Sequence, residues 1–137
     1  MSHRYIHKIE VAAEHLDGLN HVNNVQYLLW AQDIAKSHWE KIKDLHPNSA
    51  GVWMVRSHQV NYRLGAFLGD TLNIETYVKE IRGPLSLRVV DFLCAQTNKV
   101  VVNCNTQWCY VDPDNRKPLR IPLEISNSIL SLSLIHI

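Results

Sequence analysis

Three features that would settle a function class are missing from this chain. The first is a surplus of charge: Lys and Arg total 14, Asp and Glu 13, for a net charge of +1. That balance argues against attachment to nucleic acid or to a membrane surface by bulk electrostatics, while leaving room for a local basic patch on a phosphorylated ligand. The second is a cysteine framework. The cysteines are Cys94, Cys104 and Cys109, an odd count without metal-like spacing, so neither a disulfide scaffold nor a zinc site is expected. All three fall in strand-like segments, where buried reduced thiols are the simplest expectation. The third is a long apolar run. None approaches the roughly 20 residues of a membrane span, and the opening MSHRYIHKIE is polar and alternating, unlike the apolar core of a leader. The expectation is a cytoplasmic protein that uses neither nucleic acid nor membrane as partner.

What is present suits a single domain over 1–137. A chain of this size buries roughly 70% of its unfolded surface, enough for one core. Arg4 to Val11 alternates, with Tyr5, His7, Ile9 and Val11 in phase, and predicts a strand. Glu14 to Asn20 carries turn chemistry in Asp17-Gly18 and Asn20. From Asn23 the period becomes helical, with Leu28, Ala31, Ala35, Trp39 and Ile42 on one stripe and the helix fading near Asp44. Asn23 is the expected N-cap. Trp30 and Ile34 lie off that stripe, which predicts a helix buried on more than one side.

Four strands follow, at Val52–Tyr62, Thr71–Glu80, Leu85–Leu93 and Val100–Val111. Leu72, Ile74 and Val78 share a phase in the second. Leu85, Leu87, Val89 and Leu93 share one in the third. The even positions from Val100 to Tyr110 share one in the fourth. One helix and a mostly antiparallel sheet make an α+β domain, with the sheet curled around the helix. Ile121 to Glu124 offers the start of a short terminal helix. The serine-rich, apolar tail, about 128–137, is expected to be frayed or foreign to the natural protein.

The chemistry concentrates in Asp17-Gly18-Leu19-Asn20-His21-Val22-Asn23-Asn24-Val25-Gln26-Tyr27, where a loop enters the long helix. A helix N-terminus offers unpaired N–H groups and the positive end of the dipole, suited to an oxygen gaining negative charge. Asp17 adds a carboxylate just upstream, and His21 and the asparagines add polar groups within a turn. Taken singly each residue has an ordinary use: Asp17 in a turn, the asparagines as caps, His21 as a structural histidine, Tyr27 in the core.

Together the pattern Asp-x-x-x-His-Val-Asn-Asn-x-x-Tyr resembles the acyl-CoA thioesterases of the 4-hydroxybenzoyl-CoA thioesterase-like group. Asn61-Tyr62-Arg63 with Gly69-Asp70, and Val111-Asp112 through Ile121-Pro122, extend the likeness over nearly the whole chain. The resemblance implies the hotdog fold, a five-stranded antiparallel sheet wrapped around one long central helix, in homodimers or dimers of dimers with sites at the interface. It implies hydrolysis of an acyl-CoA in fatty acid metabolism, with no metal or other cofactor. Asp17 matches the catalytic carboxylate, nucleophile or general base. The N–H near Asn24 matches the amide that polarises the thioester carbonyl, and His21 the residue that orients water or the carboxylate. Asn23 and Tyr27 fall at the substrate, Tyr27 on the acyl pocket. Arg82, Arg88 and Lys79 flank Gly83-Pro84-Leu85-Ser86, the turn where relatives hold the nucleotide or pantetheine arm; an ordinary solvated face, or Arg63 or Arg116 of a neighbouring subunit in this role, fits as well.

The chain also departs from the pattern. Asn20 stands where a glycine commonly precedes the histidine, and Leu19 where plant acyl-ACP thioesterases carry asparagine. The proline usual after the Tyr-Arg pair is absent, and Gln32, followed by Asp33, takes a frequently acidic helix position. Two other functions fit the same residues: an acyl-ACP thioesterase, and a non-catalytic hotdog that binds acyl thioesters. Asp17 favours an enzyme, because binding alone does not need that carboxylate.

Overall fold

The computed structural model describes residues 4–131. The chain runs β1 (Tyr5–Glu10), a 3-10 turn at Ala13–His15, α1 (Asn24–Asp44), β2 (Val52–Tyr62), β3 (Thr71–Arg82), β4 (Leu85–Cys94), β5 (Val100–Val111) and α2 (Leu123–Ser131). The strands form one antiparallel sheet in the order β1-β3-β4-β5-β2. Short turns make β3, β4 and β5 a meander. Gly83 enters the first of them at φ 58, a left-handed conformation open to glycine. The segment containing α1 carries the chain from β1 at one edge to β2 at the other. β2 and β5 keep the bounds expected from sequence, and β3 and β4 run slightly longer.

The inward phase agrees with expectation in β3, where Leu72, Ile74 and Val78 are buried, and in β5, where Val102, Cys104, Thr106 and Tyr110 are buried. β4 differs. Its core face carries Ser86, Arg88, Val90 and Phe92; of the expected phase, Val89 is buried and the leucines at 85, 87 and 93 lie half-buried on the other face. Both phases of β4 contain apolar residues, so alternation alone could not say which one faces inward.

α1 is capped by Asn23, whose Oδ1 accepts the Val25 N–H at 3.0 Å, and Lys41 and Lys43 in its last turn oppose the dipole. Its buried residues are Tyr27, Trp30, Ala31, Ile34, Ala35, His38 and Ile42, one broad stripe at steps of three and four. This corrects the expected stripe, which omitted Tyr27, Trp30, Ile34 and His38. It also corrects the helix buried on several sides: Leu29, Gln32, Asp33, Lys36, Glu40 and Lys43 are exposed. Nor is the helical layer α1 alone. α2 lies beside it, with Ile125 and Ile129 buried. Residues 128–131, expected to begin a tail, are the last turn of α2, where Ser128 Oγ lies 2.6 Å from His46 Nε2. The remainder of that expected tail lies outside the described residues.

Two apolar clusters form under the helices. One gathers Tyr27, Trp30, Ile34, Ile74, Val90, Phe92 and Val102 under the first part of α1. The other gathers Ile42, Val78, Tyr110, Ile121, Ile125 and Ile129 where α2 packs. The buried polar residues are His38, Thr76, Ser86, Arg88 and Thr106, and they belong to neither cluster. Cys104 and Cys109 are buried and Cys94 is half-buried; all three are free thiols.

Candidate active site

The loop before α1 is a small hairpin built by its own backbone. Leu16 and Val22 bridge, the Asp17 N–H donates to His21 O at 2.9 Å, and the Asn20 N–H donates to Asp17 O at 3.1 Å. Closing so short a loop puts Asn20 at φ 65. Asparagine tolerates that region better than most side chains, so it can stand where the resembled family favours glycine.

Asp17 uses its two carboxylate oxygens differently. Oδ1 accepts the Leu19 N–H at 2.8 Å, and Oδ2 lies 3.9 Å from His21 Nδ1. The carboxylate is a third exposed, at 32%. Three further contacts fix the hairpin. The Val22 N–H donates to Ala66 O and the Asn23 N–H to His15 O, both at 2.9 Å, and His21 bridges Phe67. The rings of His21 and Phe67 meet edge to face at 5.7 Å. Asp70 Oδ2 accepts the Phe67 N–H at 2.9 Å and so shapes the opposing loop. Asn24 opens α1, which leaves its N–H without a partner inside the helix. Its carbonyl accepts the Tyr62 hydroxyl at 3.2 Å. Exposed apolar side chains occupy the same segments: Leu19, Val25, Leu29, Tyr62, Leu64, Phe67 and Leu68.

The structure therefore brings Asp17, His21, Asn23 and Asn24 onto one hairpin and helix start. Tyr27, directly beneath, is buried with its ring edge-on to Trp30, Tyr62 and Phe92. Burial, and then Tyr62 and Asp70 nearby, push its hydroxyl pKa up to about 12. The remaining candidates do not form the expected patch at the Gly83-Pro84 turn. Arg82 is exposed there and pairs with Glu80 at 2.7 Å, and Lys79 is exposed as well. Ser86 and Arg88 point the other way, into the interior. Strand alternation is the reason: positions 86 and 88 share the core face of β4.

Ser86 and Arg88 instead line a cavity of about 530 Å³ bounded by α1, β2, β4, β5 and α2, with Trp39, Trp53 and Trp108 in its wall. It shares no residue with the Asp17 hairpin. Trp53 is in this wall, Trp30 is in the core and Met54 is exposed on β2. Among the described residues no His, Cys, Asp and Glu group could hold a metal. His7 contacts the Tyr5 hydroxyl, His15 accepts the Ala12 N–H, and His3 lies outside the described residues. Sequence reasoning missed Tyr62, Phe67 and Asp70 as parts of the site. The Gly69-Asp70 turn was the available signal, but its pairing with residues 21–22 depends on the fold.

Residues 11–129 match the thioesterase-like superfamily. The long-chain acyl-CoA thioesterase FadM of Escherichia coli K12 is 22% identical over 130 residues, covering 89% of this chain and 94% of its own. Many solved structures share the fold, among them two that cover most of this chain. A Staphylococcus aureus protein in complex with CoA superposes with a TM-score of 0.83 at 14% identity, over 94% of this chain and 83% of its own. The 1,4-dihydroxy-2-naphthoyl-CoA thioesterase of Synechocystis superposes at 0.78 and 13%, over 92% and 95%.

Proposed function

This chain belongs to the thioesterase-like superfamily, and on that premise we propose that it hydrolyses acyl-CoA thioesters to the free acid and CoA, with Asp17 as the catalytic carboxylate. The observation that carries this reading is the hairpin that holds the Asp17 carboxylate beside His21 and runs directly into the first N–H groups of α1. A thioester needs little more. Its carbonyl is reactive and its thiolate leaves with little protonation, so one carboxylate and one oxyanion donor suffice. Asp17 either takes a proton from water as the oxygen adds to the carbonyl carbon, or adds to that carbon itself. The Asn24 N–H stabilises the resulting oxyanion, the C–S bond breaks and CoA departs as thiolate, leaving the free acid in the first route and an acyl-Asp17 anhydride in the second, which water then cleaves to the acid and the carboxylate. A donor of this kind is typically worth about 3–4 kcal/mol in the transition state. His21 orients the water or the carboxylate, Asn23 holds the helix start in register, and Tyr27 forms the floor below the acyl group.

CoA as the thiol is supported by the FadM relative and by the CoA held in the Staphylococcus aureus structure. Arg82 and Lys79 are exposed cations available to its phosphates. β2 is an 11-residue edge strand paired on one side only, with Val52 and Met54 exposed. Together with the apolar residues around the hairpin, it supports a homodimer or dimer of dimers whose second copy completes the site. Among the described residues no helix is long and apolar enough to cross a membrane, which fits a single-domain enzyme of the cytoplasm with α1 as the central helix of its hotdog.

The test is thiol release from acyl-CoAs of graded length, from aromatic acyl-CoAs and from acyl-ACP, for wild type and Asp17→Ala. Turnover of a CoA substrate that collapses in the variant, with binding largely kept, is the expected result. Equal turnover in both proteins would defeat the role given to Asp17. Turnover of acyl-ACP alone would replace CoA as the carrier.

A further inference from the structure

Among the described residues Arg88 is buried without a counter-ion. Its Nη1 donates to Thr76 Oγ1 at 3.1 Å and lies 2.8 Å from His38 Nδ1. A guanidinium cannot accept, so Nδ1 is the acceptor and both partners are neutral at these atoms. Among the described residues the ion pairs are Arg4–Glu75, His21–Asp17 and Arg82–Glu80, and no carboxylate reaches Arg88. A charge taken out of water is ordinarily paired. Burial lowers the pKa of Arg88 to about 10, which still leaves it charged at neutral pH. The group has five N–H donors, and Nη1 is its only nitrogen with a hydrogen bond among the described residues. The others have no partner among the described residues.

The cavity that Arg88 lines repeats this imbalance. Its wall is aromatic and apolar, from Trp39, Trp53 and Trp108. The buried Nε1–H of Trp108 also lacks an acceptor among the described residues. Of the charged residues lining the cavity, Lys36, Lys43 and Arg88 are cations and Asp33 is the one acid. The volume, about 530 Å³, is that of a small-molecule site. An apolar chamber with surplus donors and a net positive lining fits an amphiphilic anion, and a planar fork of N–H groups fits a carboxylate.

We propose that this cavity is a second ligand site, which binds a carboxylic acid with its carboxylate on the open edge of Arg88 and its hydrocarbon along the tryptophans. The site is separate from the Asp17 hairpin and begins two turns further along α1. Its existence does not depend on the hydrolytic reading, which supplies only one source of ligand, the released acid. The other source is an acyl chain whose far end carries a carboxylate.

The tryptophan wall supplies the assay. Intrinsic fluorescence is titrated with decanoate and with decanol, in the Asp17→Ala protein so that hydrolysis has no part in the outcome. Decanoate is expected to bind at least about tenfold more tightly than decanol, a gap of about 1.4 kcal/mol. Arg88→Met should remove that gap. Should Arg88→Met fail to fold, Lys36→Glu, an exposed change at the rim, should weaken decanoate severalfold and leave decanol unchanged. Equal affinity for the two probes, or no response to either, overturns the proposal. The two sources separate in the active enzyme. A preference for 10-carboxydecanoyl-CoA over decanoyl-CoA that vanishes with the rim variant assigns the carboxylate to the acyl chain. Decanoate binding without such a preference assigns it to the free acid.

Discussion

Replacing Asp17 by asparagine separates the charge of this residue from its shape. In the wild type Oδ1 accepts the Leu19 N–H at 2.8 Å, and Oδ2 stands 3.9 Å from His21 Nδ1. Asparagine keeps an oxygen for Leu19 and places an amide nitrogen near His21, so the hairpin survives. What it loses is a partly exposed contact with His21 at 3.9 Å, an ion pair only with the imidazole protonated and then worth about 0–1 kcal/mol, and the carboxylate as base or nucleophile. A positioned general base contributes about 10²–10⁴-fold, which is about 3–5 kcal/mol at 1.36 kcal/mol per decade. Asp17→Ala loses the Leu19 hydrogen bond as well, for about 1 kcal/mol more of stability. The two variants should therefore show similar losses of kcat and different urea midpoints. Initial rates of thiol release from decanoyl-CoA, with KM and unfolding measured on the same preparations, check both. An asparagine variant within about threefold of wild type in kcat, beside an inactive alanine variant, would refute the reasoning: the loop would need an acceptor at position 17 and no charge.

Asn23→Ala removes the cap on the Val25 N–H and should cost about 1 kcal/mol in urea unfolding. Gly51→Ala would drive a Cβ into the Tyr110 ring, whose hydroxyl accepts the Gly51 N–H; the ring must move, and a loss of about 1–3 kcal/mol is expected in the same measurement. Tyr27 is raised in the folded state, from the ordinary 10 to about 12. Its neutral form is the one the fold favours, so its contribution is complete below pH 10 and falls as pH rises toward 12, by up to about 3 kcal/mol. Stability measured from pH 9 to 12 should fall less steeply in Tyr27→Phe than in wild type.

Much of the architecture could be read locally. The bounds of β2 and β5 and the cap at Asn23 follow from periodicities and punctuation spread over a dozen residues, and the structure keeps them. The hairpin from Asp17 to His21 was legible because its parts are neighbours in the chain, closed by bonds of two to four residues' span. The two errors of phase share a cause. Both faces of β4, and more than one side of α1, carry apolar residues, so counting apolar residues alone could not choose the buried phase. Burying His38 and Arg88 is eased by the hydrogen bond between them, 50 positions apart, and no local window contains both.

The amino-acid order dictates what depends on near neighbours: where helix and strand begin, how the chain turns, and that a carboxylate and a histidine meet at a helix start. Folding alone settled what depends on distant segments. It pairs residues 21–22 with residues 66–67, turns Ser86 and Arg88 inward, and assembles a chamber from tryptophans on α1, β2 and β5. Backbone preference acts over a few residues, whereas which face is buried and which charge is left unpaired are properties of packing, decided only when remote side chains compete for the same interior.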